Sequence, residues 1–308
     1  MSIASEITRL QNAKADIKTA IENKGGTVSG TIDNYATAID NLPSGGGSYT
    51  DYFYESTNKT VSENTGGWKN LIKSIKINTA KQDLTAFVMN CKAENIDLSE
   101  FDPTITRTKV AMLFYQCSNV KQLDISKIKI GGLSTNSTDV FYDCSNLETI
   151  IGLENQDFSG SKSIGSMFSG CKKLKNIPNI NASSSSEIYN TFSGCNALES
   201  IGIIDCDNVT AVGTGAFYQC TSLKNVGGLK DLGKAYDTSQ PANYSYYTLS
   251  FSYSNQLTHD SLMNIINSIY DIASKGVQPQ KLVLGSINLA KLTSAEIQIA
   301  TDKGWTVS

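Results

Sequence analysis

One ten-residue phrase returns along the chain: "FYQCSNVKQL" around Cys117, "FYDCSNLETI" around Cys144, "FSGCKKLKNI" around Cys171, "FSGCNALESI" around Cys195 and "FYQCTSLKNV" around Cys220. The copies are 27, 27, 24 and 25 residues apart. Each has Phe three residues before the cysteine (Phe114, Phe141, Phe168, Phe192, Phe217), an aliphatic residue three after it (Val120, Leu147, Leu174, Leu198, Leu223) and another six after it (Leu123, Ile150, Ile177, Ile201, Val226). A unit this short cannot bury its own apolar face. Stacking one unit on the next turns each position into a continuous internal column, so the spacing predicts a solenoid. "FVMNC" at Cys91 is a degenerate earlier copy, with Glu94 where an aliphatic belongs, and "FSYSNQL" at 251–257 is a later one, with Ser254 in the cysteine's place.

The recurring cysteine reads as packing rather than chemistry. Seven cysteines are present, none in a CxxC pair of the kind that metal clusters use, and the substitution at Ser254 points to a column that needs a small side chain. Cys117, Cys144, Cys171, Cys195 and Cys220 are therefore expected as buried free thiols in one structural column, while Cys206 falls outside the register. Catalytic motifs are missing: no GxSxG, P-loop, HExxH or DxDxDG occurs. The single histidine, His259, reads as a helix-start residue. No catalytic residue, metal site or cofactor is expected, and an enzyme acting on cell-wall glycans would need acidic residues converging on a pocket.

Four residues after each cysteine stand Lys121, Glu148, Lys175, Glu199 and Lys224, alternating in sign. On parallel strands about 4.8 Å apart this predicts an exposed salt-bridge ladder. Lys plus Arg number 26 against 29 Asp plus Glu, for a net charge of −3, so no basic excess is available for nucleic acid. No run of some 18 apolar residues suggests membrane insertion, and the first residues, "MSIASEITRL", lack the basic and apolar regions of a signal peptide, which predicts synthesis in the cytoplasm.

The pattern Phe-x-x-Cys-x-x-Leu-x-x-Ile, clearest in "SMFSGCKKLKNIPNI" and "AFYQCTSLKNVGGL", resembles BspA-type leucine-rich repeats over roughly residues 65–308. That resemblance implies an α/β repeat protein, a leucine-rich-repeat solenoid with one short parallel strand per copy: "NVKQLDIS", "NLETIIGL", "KLKNIPNI", "ALESIGII" and "SLKNVGGL". Strands at 70–78 and 281–289 would flank them. After Leu257, residues 258–308 read as a C-terminal helical cap. Leu262, Ile265, Ile266, Ile269 and Ala273 follow helical spacing up to Gly276, and Thr293 with Glu296 forms a capping box for a second helix that Gly304 ends, with Trp305 packed beneath.

The first 43 residues hold no Cys and no Phe, and form a separate helical attachment or oligomerisation module. Ile3, Ile7, Leu10, Lys14, Ile17 and Ile21 alternate steps of four and three, a coiled-coil seam with one lysine in it. Residues 44–50 carry Gly and Ser and read as a tether to the solenoid at 51–308. The segment from Glu6 to Pro43 resembles the N-terminal module of phage tail, baseplate and fibre proteins. What this implies is a virion tail appendage, a homo-oligomer with a trimer favoured, docked on tail or baseplate proteins by its N-terminus and recognising a protein or glycan on a bacterial cell surface. The alternative is a bacterial BspA-like adhesin or interaction scaffold whose N-terminal helices cap the first rung.

Contact residues are expected where the repeat spacing opens. Ser254 follows Cys220 by 34 residues, a step that includes "AYDTSQPANYSYYTLSFSYS", rich in Tyr, Ser and Asn as paratopes are. Tyr236, Asn243, Tyr244 and Tyr246 are the receptor-binding candidates. Tyr247, Leu249, Phe251 and Tyr253 alternate with polar residues and read as the inward face of a strand.

Overall fold

The structure is a computed structural model that describes residues 14–22, the backbone of 52–55, and residues 74–130 and 136–308. The chain divides into two compact units, Met1–Thr50 and Asp51–Ser308, a boundary at the end of the segment read as a tether. In the first unit helix α1 spans 14–22, with Ile17 half-buried, Ile21 buried and Lys18 paired with Glu22 one turn on. Ile3, Ile7, Leu10 and residues 44–50 lie outside the described residues.

The second unit is an α/β repeat of short parallel strands. They are β1 (Tyr52–Glu55), β2 (Ser74–Asn78), β3 (Asn95–Asp97), β4 (Gln122–Asp124), β5 (Thr149–Ile151), β6 (Asn176–Ile177), β7 (Ile180–Asn181), β8 (Ser200–Asp205), β9 (Asn225–Lys230), β10 (Leu249–Ser250), β11 (Gln280–Val283) and β12 (Trp305–Val307). Every pairing is parallel, in four sheets: β1 with β2 and β2 with β3, β4 with β5, β6, β7 and β9 with β8, and β10 with β11 and β11 with β12. All five expected strands are present, some as only two or three residues. One copy is too short to make more than a strand and a tight turn, which is why every strand depends on its neighbours.

The turn carrying each Phe and Cys forms a second backbone ladder. Gln116 N–H donates to Tyr142 O, Asp143 N–H to Ser169 O, Gly170 N–H to Ser193 O and Gly194 N–H to Tyr218 O, at 2.7 to 2.8 Å. To aim these N–H groups at the next rung, the residue before each cysteine adopts positive φ: 57° at Gln116, 53° at Asp143, 77° at Gly170, 73° at Gly194 and 59° at Gln219. That conformation costs a residue with a side chain roughly 1–2 kcal/mol, which the ladder bond and the buried columns offset.

Inside, Phe114, Phe141, Phe168, Phe192, Phe217 and Phe251 form one file of rings, with centroid separations of 5.6, 5.5, 5.8, 5.5 and 4.5 Å. Beside it runs the cysteine column, and its role is richer than small size. Cys144, Cys171, Cys195 and Cys220 each donate Sγ–H to the carbonyl of the preceding copy's phenylalanine at 3.0–3.1 Å, and Cys117 donates to Val88 O. Ser254 keeps the donor, bonding Cys220 O at 3.2 Å. A column position thus needs a small side chain with one proton to give, a need that Cys and Ser both meet.

All seven cysteines are free and buried, and burial raises their thiols, Cys91 and Cys220 to about 12 and Cys117, Cys171 and Cys195 well above the ordinary value. Two outcomes follow. An aromatic disulfide reagent at neutral pH should titrate none of the seven in the native protein and all seven in denaturant. Because the folded state keeps these thiols neutral while unfolded ones ionise near the ordinary thiol value of 9.0, their contribution to stability is complete below pH 9 and is lost as pH rises above it, readable as a falling urea midpoint.

The charge ladder closes only in part. Glu148 N–H donates to Lys121 O and Glu199 N–H to Lys175 O, so the backbones stack as expected, yet among the column's side chains only Glu199 and Lys224 pair, at 3.2 Å. Two further charge contacts join the same pair of rungs, Asp205 with Lys230 at 2.6 Å and Asp207 with Lys234 at 2.9 Å. Exposed pairs contribute only about 0.2–1 kcal/mol, comparable to the entropy of ordering two long side chains, so alternation alone does not close them.

After Leu257 the repeat changes. Thr258 N–H still donates to Lys224 O as a next strand would, but helix α2 (His259–Ser268) then takes that strand's place beside β9. The Ser261 hydroxyl accepts from Val226 N–H and donates to Lys224 O, Ser268 Oγ accepts from Leu229 N–H, and Asn264 Nδ2 donates to Val226 O. Gly228, at φ 142°, lets the helix approach, since a Cβ there would meet Ser268 Oγ at 3.0 Å. The helix stops at Ser268 rather than running to Ala273, which is exposed. Lys303 Nζ donates to the carbonyls of Ile266, Asn267 and Ile269 and closes the C-terminus there. Short α3 (Ser286–Leu289) precedes α4 (Ser294–Asp302), which starts on the expected Thr293–Glu296 capping box. Trp305 is buried behind it with Nε1 donating to Tyr270 O.

Candidate functional site

The insertion before Ser254 is a braced segment rather than a free loop. Tyr236 and Tyr247 stack at 3.7 Å, the Tyr236 hydroxyl donates to Tyr247 O, and Asp237 N–H donates to the Tyr247 hydroxyl oxygen. Lys275 Nζ donates to Tyr236 O, Asn243 N–H donates to Pro279 O, and buried Gln280 holds Pro241 O through Nε2.

This bracing divides the four receptor-binding candidates. Tyr236 is 1% exposed and faces Trp305, with ring centroids 5.8 Å apart. Burial, with help from the neighbouring Cys206 thiol, pushes its phenol well above the ordinary value. It is a core residue, not a contact residue. A tyrosine has an apolar body and a polar tip, so composition alone cannot say which way it points. Cys206, without a role in the repeat register, is buried beside it and donates to Ile204 O.

Asn243, Tyr244 and Tyr246 do reach the surface. Asn243 is exposed at φ 58°, Tyr244 is half-buried, and Tyr246 is 52% exposed with its ring 5.5 Å from that of Tyr244. The Tyr246 carbonyl accepts from both Val212 and Gly213 N–H, which fixes the segment on the previous rung. Gly213 in turn lies under the ring of Tyr189, where a Cβ would sit 2.8 Å from that ring. Tyr189, 46% exposed, is a surface aromatic that the repeat pattern did not single out. Its signal was there: a tyrosine at a position that holds Gly165 one copy earlier. The strand reading of 247–253 also needs correction. Only Leu249–Ser250 is strand, and Tyr253 points outward at 44% exposure because the chain turns after Phe251 to bring Ser254 into the cysteine column.

Chemistry of another kind is thinly represented. Among the described residues no group of three or more His, Cys, Asp and Glu is placed to hold a metal. His259 is exposed at the start of α2, its Nε2 2.8 Å from Glu296 of the capping box. A groove of about 260 Å³ lies where β3 and β4 part, lined by Asn95, Asp97, Gln122, Asp124 and Lys127 among others.

Comparison with known proteins agrees with the geometry. A family model described as the BspA type leucine rich repeat region, in six copies, matches residues 50–163 and 140–234, more than half of the chain. The chain belongs to the BspA-type leucine-rich repeat family. The match begins earlier than the 65 expected from the phrase and ends at 234, where the insertion departs from the BspA-type repeat. It does not reach residues 1–49. No curated protein matches the chain.

Proposed function

We propose that this BspA-type protein is a non-catalytic recognition protein. Its repeats form a solenoid, capped by α2 and α4, that presents tyrosines to a protein or glycan on a bacterial surface. The observation that carries the reading is the pair Tyr246 and Tyr189, half-exposed on backbone that is hydrogen-bonded on both sides. Large, rigid, amphipathic side chains held in this way bind at low entropic cost. Saturable binding of the labelled full chain to a panel of bacterial cells is expected, weakened about tenfold or more by Tyr246→Ala with Tyr189→Ala. Binding that is indifferent to both substitutions would refute this surface.

The finer reading is a phage tail appendage, assembled as a homo-oligomer and docked on tail proteins through residues 1–43. It rests on the likeness of Glu6–Pro43 to phage tail modules and on the Ile3–Ile21 seam. Light scattering should give an oligomeric full chain, a trimer favoured, and a monomer for a chain starting at Tyr49. Monomers in both cases would leave the bacterial adhesin or scaffold as the better reading, without a coiled coil.

A further inference from the structure

Two residues before each cysteine lies an outward column whose register the turn ladder fixes: Tyr115, Tyr142, Ser169, Ser193, Tyr218. Tyr115 and Tyr142 stack face to face, with centroids 4.7 Å apart and planes within 5°. At the other end Tyr218 meets Tyr253 edge-on at 4.7 Å, and both are more than 40% exposed. Between the two pairs, the rungs of Cys171 and Cys195 carry only serine at this position, and the residue that follows is Gly170 or Gly194, without a side chain. Two tyrosine pairs therefore stand on either side of a two-rung saddle. The rungs of Tyr142 and Tyr218 are separated by three steps of the phenylalanine file, of 5.5, 5.8 and 5.5 Å.

The chemistry of this saddle selects among ligands. Its backbone is already spent: Asp143, Gly170 and Gly194 N–H and the carbonyls of Ser169, Ser193 and Tyr218 all serve the ladder, so an extended peptide cannot add as a strand. The floor positions Ser169, Gly170, Ser193 and Gly194 offer no apolar side chain to seat a helix face. Charges of both signs stand by it, with Asp139 and Asp143 near the Tyr115–Tyr142 pair and Lys172 and Lys173 following Cys171 in the chain, which favours an uncharged ligand. The Ser169 and Ser193 hydroxyls are taken up by no bond among the described residues and are free to give or accept one.

We infer that the saddle between Tyr142 and Tyr218 is a binding site for a neutral oligosaccharide, whose C–H faces meet the tyrosine rings and whose hydroxyls meet Ser169 and Ser193. This rests on the recognition reading above and adds to it a second surface, of the saccharide class, beside that of Tyr246 and Tyr189.

The test is an array of neutral oligosaccharides (glucans, galactans, rhamnans and chitooligosaccharides) probed with the full chain and three variants. Ser193→Tyr carries the tyrosine column across the saddle with a residue that the column already accepts at Tyr115, Tyr142 and Tyr218. It should leave the melting temperature unchanged and lower saccharide binding about tenfold or more, as should Tyr218→Ser, while Tyr246→Ala should leave it unchanged. Saccharide binding that survives Ser193→Tyr, or no binding to any neutral saccharide, overturns the inference. Cell binding separates the two readings: cells still bound through Tyr246 and Tyr189 while no neutral saccharide binds on the array sink the saddle alone, and cells bound by neither wild type nor Ser193→Tyr sink recognition itself.

Discussion

Phe168→Ala should destabilise the repeat by about 3–5 kcal/mol and split its unfolding into two transitions. The ring is fully buried at the middle of the file, 5.5 Å from Phe141 and 5.8 Å from Phe192, with planes within 6° and 4° of theirs. Near-parallel rings at that separation are offset stacks, each adding about 0.5–1.5 kcal/mol beyond the apolar area buried. Truncation removes two such contacts and leaves a cavity that the flanking rungs cannot close, because their backbones are held by the turn ladder on both sides. In a stack each rung is stabilised only by its neighbours, so a weakened central interface uncouples the rungs before it from those after it. Urea unfolding followed by circular dichroism would show a lower midpoint and a shallower, two-step curve. A single transition with an unchanged midpoint would mean that the file carries little of the cooperativity.

How much of this could be read in advance differs by column. The inward positions were legible because every copy repeats them: Phe, Cys and the two aliphatics are each constrained by a neighbour above and below, so periodicity and burial are one statement. The Thr293–Glu296 box was legible because its chemistry is local, two side chains and two backbone groups within one turn. Tyr236 was not, because an insertion occurs once and has no column from which to infer its direction. The charges from Lys121 to Lys224 misled for an energetic reason, since their pairing is worth no more than the disorder it must overcome. The cysteine's hydrogen bond to the previous copy was hidden for a different cause. Its acceptor is a backbone carbonyl some 30 residues away in sequence, and the one hint was the serine at 254.

The outward tyrosines lie between these cases. Tyr115, Tyr142 and Tyr218 share a register position, but sequence alone cannot show that their rings meet, that Tyr253 joins them from a different register, or that two serine rungs lie open between them. An outward column is free to vary from copy to copy because its side chains are not packed into the core. The same freedom makes it the place where a repeat can vary its recognition surface without altering its core.

Replacing Ser261 and Ser268 together by alanine should cost about 2–6 kcal/mol and release α2 from β9. Each hydroxyl stands in for a strand backbone. Ser261 accepts from Val226 N–H at 3.0 Å and donates to Lys224 O at 2.8 Å, and Ser268 accepts from Leu229 N–H at 2.8 Å. Both N–H groups belong to the last rung of the strand ladder, whose far edge no further strand covers. Alanine removes the acceptor without adding room for water, leaving a buried donor unmet at about 1–3 kcal/mol per site. The serines are seven residues apart, about 10 Å along the helix, so their effects should add. Hydrogen exchange gives the clean readout: the Val226 and Leu229 amides should lose protection in the double variant while Ile201, on the opposite side of β9, keeps its own. Retained protection at both amides would mean that α2 is held by Leu262, Ile265 and Ile266 alone and that its serines are incidental. Lost protection would show that the helix closes the repeat by completing its backbone hydrogen bonds as well as by covering its core.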